Sequence, residues 1–259
     1  MYISRRTLAP CVIAIGAAIL IACPKTAAAA EVRALMTIGV QSALEDLIPR
    51  WEKASGNKLN GVFGLSAALS KRISDGEQAD VFIGTREGVD GLIKAGKLAG
   101  PAVVLASSGV GIAMRKGAAK PDVSTPEALK RTLLAARAVS YLNPADRGAS
   151  SLIFVRAIER LGIADAITAK AKFPPAGIST GQMLLTGEAD LAVQQIPELL
   201  AVEGVDIAGP LPGDLQTITV FATSVPMNAK DAVIANRFVA YLRSSEALAV
   251  FKAKGLDPQ

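Results

Sequence analysis

Four short stretches hold the residues best suited to chemistry. Each lies where an extended run gives way to a helical one. They are Gly39-Val40-Gln41-Ser42, Phe63-Gly64-Leu65-Ser66, the segment from Asn143 to Ser151, and Gln194-Gln195-Ile196-Pro197. Gly39 lets a ligand approach the backbone closely, with the Gln41 amide beside it. Ser42 and Ser66 suit helix N-caps. The Ser66 hydroxyl can also donate to a ligand while it accepts from the backbone. Ala149 and Ser150 open an apolar helix whose first N–H groups have no intrahelical partner. Arg147 offers charge to a carboxylate or oxyanion. Gln195 both donates and accepts. Strand alternation lets only one of Gln194 and Gln195 face a cleft. Each stretch has a plainer reading beside this one: a turn, a cap, a solvated Asp146–Arg147 pair, a solvated strand end. Neutral donors gathered at helix starts are the chemistry that holds a small anion.

What is missing narrows the alternatives. The chain has no histidine, which removes the Ser-His-Asp triad, the Cys-His pair and most zinc sites. An exported hydrolase or transferase is left with Ser66 and Lys71, or Asp80 and Glu87, as a catalytic pair. Ser66 and Lys71 are five apart, a poor spacing for one helical face. The expectation is therefore binding without turnover, with no metal and no cofactor.

The first thirty residues read as an export signal. Arg5 and Arg6 precede an apolar stretch from Leu8 to Ala22, and small residues run from Ala27 to Ala30. The apolar stretch is too short for a membrane span and contains Pro10. Ser4 to Leu8 resembles a twin-arginine motif. Leu20-Ile21-Ala22-Cys23 resembles a lipoprotein box, which would anchor the protein through Cys23. Cleavage after Ala30 would instead release it into the periplasm. Both cysteines, Cys11 and Cys23, fall in this segment, as do three of the 28 basic residues and no acid. The remainder carries 25 basic and 23 acidic residues, a net of +2. Such a balance gives no reason to expect nucleic acid as a partner.

Beyond the leader, strands and helices alternate. Val32–Gly39, Lys58–Phe63 and Ala79–Gly84 read as strands, with helices between and after them. Ala138–Leu142 and Ala189–Gln194 read as strands of a second set, with helices over Pro126–Ala136 and Ser150–Leu161. Ala232 to Phe251 reads as one closing helix. Strands joined by helical crossovers imply α/β layers with mainly parallel sheets. Two long extended stretches, Val103–Met114 and Leu215–Val225, interrupt the pattern. Read as crossovers, they divide the chain into lobe 1 (31–110 plus 220–259) and lobe 2 (111–219), with residues 1–30 as the signal peptide. A single doubly wound sheet fits the periodicity as well.

At these junctions the chain resembles the periplasmic molybdate-binding proteins of ABC transporters. The stretches concerned are QSALEDLIPRWEKASG, FGLSAALSKRISDGEQADVFIGT, NPADRGASSLIFVRAIERLG, TGEADLAVQQ and FVAYLRSSEALAVFKAKGL. The resemblance implies a type II two-lobed binding protein, with two crossover strands as hinge. It implies a monomer that passes a molybdate- or tungstate-like anion to a membrane permease. In that family, hydroxyls and backbone N–H groups hold the anion without a counter-ion. Ser66 matches the family's serine, and Ala149 matches a backbone N–H donor from the other lobe. Gly39 stands where the family has a serine, and Gln195 where it typically has a tyrosine. Losing a hydroxyl partner for a desolvated anion costs about 1–3 kcal/mol. Gly39 is also expected to make room, which would suit an organic anion or polar metabolite.

Overall fold

The computed structural model describes residues 29–259. The leader expected at residues 1–30 lies outside the described residues except for its last two. The chain begins with β1 (Glu31–Thr37), a 3-10 turn over Ile38–Val40, α1 (Gln41–Ser55), β2 (Lys58–Gly64), α2 (Ser66–Ser74), β3 (Val81–Thr85), α3 (Arg86–Lys94) and β4 (Val103–Ser108). It continues through β5 (Val110–Arg115), α4 (Pro126–Ala135), β6 (Val139–Ser140), a 3-10 turn over Pro144–Asp146, α5 (Ala149–Arg160), α6 (Ala164–Thr168) and β7 (Ala171–Lys172). Next come α7 (Gln182–Leu185), β8 (Leu191–Gln195), α8 (Ile196–Leu200), β9 (Val205–Pro210) and a 3-10 turn over Gly213–Leu215. The chain closes with β10 (Thr219–Ser224), α9 (Ala232–Tyr241), α10 (Ser245–Ala253) and β11 (Asp257–Pro258).

The strands form two sheets, in the orders β11-β4-β10-β3-β1-β2 and β7-β6-β8-β5-β9. This is a two-lobed α/β fold. β1 pairs in parallel with β2 and β3, and β6 with β7 and β8. Every antiparallel pair includes β4, β5 or β10. The reason is topological. A strand–helix–strand unit returns its second strand parallel to the first, whereas a strand that comes from or leaves for the other lobe runs the opposite way. The sheets are therefore mixed, with parallel pairing kept to the strands that stay within one lobe.

Burial follows from this layering. In β1, Val32, Ala34, Leu35 and Met36 are all fully buried, as expected of a strand covered on both faces. Local signals set the helix ends. Gly56 closes α1 in the left-handed conformation at φ 72°, its N–H bonded to Glu52 O at 2.9 Å. Thr125 caps α4 ahead of Pro126. In the first lobe, Trp51 of α1 meets Phe238 of α9 edge to face, centroids 5.0 Å apart. That contact ties the C-terminal helices to the N-terminal sheet. Tyr141 and Phe154 make the equivalent contact in the second lobe.

The closing helix differs from expectation. Instead of one helix over 232–251 there are two, because Ser244 accepts the Ala247 N–H at 3.2 Å and starts a new helix. Periodicity also missed β9, whose burial pattern is mostly intermediate and lacks clear alternation.

Candidate functional site

Five strand-to-helix junctions meet at one small cavity between the lobes. Lobe 1 contributes Thr37, Ile38 and Gly39 after β1, Leu65 and Ser66 after β2, and Thr85 after β3, with Phe221 from β10. The other lobe contributes Leu142, Ala149, Ser150, Gln195 and Glu198. The cavity measures about 20 Å³, close to the room one water needs. Beside it is a wide mouth of about 980 Å³. Ile38, Leu65, Leu142 and Glu198 line both spaces and so form the neck between them.

The structure thus brings Gly39, Ser66, Ala149, Ser150 and Gln195 together. Gln41 lies in the mouth, where its Nε2 donates to Glu45 Oε1 at 2.7 Å. Arg147 lines neither space. It is exposed and holds a left-handed φ of 55° that closes the turn before α5, so its guanidinium is not part of the cavity wall.

Ser66 behaves differently from the cap expected of it. The N-cap of α2 is Leu65, and Ser66 Oγ instead accepts the Thr85 N–H at 2.8 Å. The hydroxyl proton is left to donate into the cavity. Gly84 makes this possible, because a Cβ there would sit 2.8 Å from Ser66 Oγ. Ser42 does not cap α1 either: it lies inside the first turn, behind the 3-10 turn. Gly39 has a different role as well. A Cβ at that position would lie 2.5 Å from Cζ of Phe221. The room expected beside Gly39 is filled by the Phe221 ring, so the glycine does not enlarge the cavity.

The second wall is richer in polar groups than its sequence suggested. Ala149 and Ser150 begin α5 after Gly148, with no side-chain cap on their N–H groups. Gln194 and Gln195 are both buried. Gln194 Oε1 accepts from Thr180 Oγ1 at 2.5 Å, and its Nε2 donates to Glu198 Oε2. Gln195 Nε2 donates to Thr219 Oγ1 at 2.7 Å, while its Oε1 is buried without a partner. Glu198, in the first turn of α8, is half-buried and makes no ion pair among the described residues. Burial pushes its carboxyl up to about 8, only partly opposed by the Gln194 amide. It is the one ionisable side chain in the inner lining; no lysine or arginine reaches it.

Sequence reasoning missed Glu198, Thr85 and Phe221. Glu198 was within reach, since it stands three residues past Gln195 in a helix that follows a buried strand. Only the packing of α8 against the 3-10 turn of lobe 1 shows that it faces the cavity. In each of the two enzymatic pairs one member is engaged elsewhere. Lys71 pairs with Asp75 at 2.7 Å. Asp80 is 1% exposed and accepts backbone N–H groups from Arg33 and Lys230, a structural role. Among the described residues, no group of three or more His, Cys, Asp or Glu side chains is placed to hold a metal. No helix among them is long and apolar enough to cross a membrane.

A joint connects the two sheets. β4 and β5 form one extended path through Gly109, from one sheet into the other. Gln216, on the return path, clasps Val110: its Oε1 accepts the N–H at 3.0 Å and its Nε2 donates to the carbonyl at 2.8 Å.

Two lobes joined by paired crossover segments, with helix starts facing one interlobe cavity, are the architecture of a solute-binding protein. Residues 32–257 match the family described as bacterial extracellular solute-binding protein. The chain belongs to this family. It is 32% identical over 254 residues to an aconitate isomerase of a Pseudomonas species, covering 95% of each chain. It is 26% identical over 263 residues to the molybdate-binding protein ModA of Azotobacter vinelandii, covering 98% of this chain and 99% of that one. The solved periplasmic molybdate-binding protein of Azotobacter vinelandii superposes with a TM-score of 0.70 at 19% identity, covering 87% of this chain and 98% of that one. The molybdate-binding-like fold read from the sequence is thus shown. Family membership carries solute binding, and the relative named as an isomerase puts turnover on the same kind of chain.

Proposed function

We propose that the protein binds a small organic carboxylate between its lobes and delivers it to the membrane permease of an ABC importer. It acts in the periplasm as a monomer. The observation that carries this reading is the make-up of the inner lining. Two helix starts, those of α2 and α5, supply donors from opposite lobes. On the same wall as the α5 start stand Gln195 Oε1 without a partner and the Glu198 carboxyl. A fully ionised tetrahedral oxyanion offers only acceptors, so it meets acceptors on that side. An organic acid can put carboxylate oxygens at the helix starts and a hydroxyl or protonated carboxyl at Gln195. The 32% relative, named for its action on the tricarboxylate aconitate, favours the same ligand class.

The 26% relative favours a second reading, in which the ligand is molybdate. Thermal denaturation of the purified protein against aconitate, other di- and tricarboxylates, molybdate and sulfate separates the two. A ligand at a hundred times its Kd adds about 2.7 kcal/mol, a rise of roughly 5–10 °C for a chain of this size. The expected result is a rise with a carboxylate and none with molybdate. A rise with molybdate alone returns the site to the oxyanion reading. The intact mass of the exported protein tests the leader, because release after Ala30 and lipidation at Cys23 give different masses.

A further inference from the structure

We infer that the cleft also moves a proton on its bound carboxylate, with Glu198 as the group that removes and returns it. This inference rests on the organic-carboxylate reading above. Glu198 stands at the neck, where a ligand held at the inner cavity passes into the mouth. A bond from Gln194 Nε2 to Oε2 fixes its carboxyl, and Gln194 is itself fixed by Thr180, which is fully buried. A buried amide locked in this way orients a carboxyl, which proton transfer to carbon needs.

The charges around Glu198 favour the same role. The groups facing the mouth from α1, the turn before α5 and the segment after α8 are Glu45, Asp146 and Glu203, all acidic. Lys254, which shares the adjoining groove with Pro197 and Leu200 of α8, is paired with Asp46 at 2.9 Å. With no cation to lower it and burial to raise it, the carboxyl titrates near 8. Its ionised form is therefore a stronger base than an ordinary carboxylate. The charge that develops on the substrate faces the uncapped N–H groups at the starts of α2 and α5, and the Ser66 hydroxyl.

These groups suit an allylic proton shift. The substrate class is an unsaturated carboxylate with a methylene between a carboxylate and the alkene carbon. Ionised Glu198 takes a methylene proton, and the C–H electron pair spreads over the allyl system and its carboxylates. The former double bond loses its order and rotates. The protonated Glu198 then returns the proton to either end of the allyl unit, and the double bond re-forms at the opposite end in either geometry. Nothing is oxidised or reduced, and no second reactant is needed.

Aconitate is the probe, with protein purified from cells expressing the whole chain. Proton NMR in D2O follows cis–trans interconversion and deuterium uptake at the methylene, and calorimetry follows binding in parallel. The expected result is uptake with interconversion, lost in Glu198→Gln by roughly 100-fold or more beyond any weakening of binding that calorimetry records. Glu198→Asp should keep part of the rate, because it shortens the reach and retains the base. Binding without exchange in the native protein overturns this inference and leaves the binding reading standing. Exchange that persists in Glu198→Gln overturns the role given to Glu198. Absence of carboxylate binding overturns the binding reading, and the inference with it.

Discussion

On the lobe 1 wall of the cleft the polar groups bind one another. Ser66 Oγ accepts from Thr85 N, and Thr85 Oγ1 accepts from Gly88 N. The space beside Gly39 is filled by Phe221. On the opposite wall the accounts are open: Gln195 Oε1 has no partner, and Glu198 is a carboxyl without a counter-ion. One wall is a finished surface that presents donors. The other holds unused hydrogen-bonding capacity, which a buried group tolerates only at a cost of about 1–3 kcal/mol. The difference suggests where selectivity resides. Changes on the first wall should cost stability, and changes on the second should alter ligand handling.

The largest effect should come from Gly39→Val. Its added carbons meet the Phe221 ring, and overpacking of this kind costs about 1–3 kcal/mol. Urea denaturation should show the loss, and Phe221→Ala in the same chain should recover part of it. Equal losses in the single and double variants would mean that the ring is not what confines Gly39. Gln194→Leu should come next, at about 1–2 kcal/mol, because it leaves the buried Thr180 hydroxyl unpaired. Gln195→Leu removes the partnerless oxygen together with the bond to Thr219. Its melting temperature should shift less than that of Gln194→Leu, while carboxylate binding weakens by tenfold or more in calorimetry. If the two leucine variants behaved alike, the contrast between adjacent glutamines would fail.

The pH dependence tests the fold from another side. Glu198 titrates higher in the folded chain than in the unfolded one. Between about pH 4.5 and 8 the folded state therefore holds a proton that the unfolded state lacks. Its contribution is fully present below that window and is lost as pH rises through 8. Glu77 does the reverse. Bonds from Arg72 and then Arg33 hold it at about 2. Its contribution is present above about 4.5 and lost as pH falls toward 2. Urea midpoints measured from pH 3 to 9 should show both slopes, with Glu198→Gln flattening the upper one and Glu77→Gln the lower.

The elements that position the site were legible because strand and helix periods differ and because glycine and serine mark the strand ends. Ser66, Ala149 and Gln195 could be picked out because a parallel strand delivers its C-terminal end to the cleft. The capping role expected of Ser66 did not hold, because the Thr85 N–H, brought alongside by β3, competes for the same oxygen. Gly39 was read as open space because nothing near it in sequence points to Phe221, which β10 brings back from the other end of the chain. Glu198 was hidden for a similar reason: it faces the cavity only because α8 packs against the opposite lobe.

The Gln216 clasp bears on how such a cleft closes. Two crossings pinned to each other at Val110 act as one axle. A change in the angle between the lobes would then turn on the torsions beside the pin. A ligand that joins the starts of α2 and α5 fixes that angle. The surface presented to a permease thus becomes a readout of what the cleft contains.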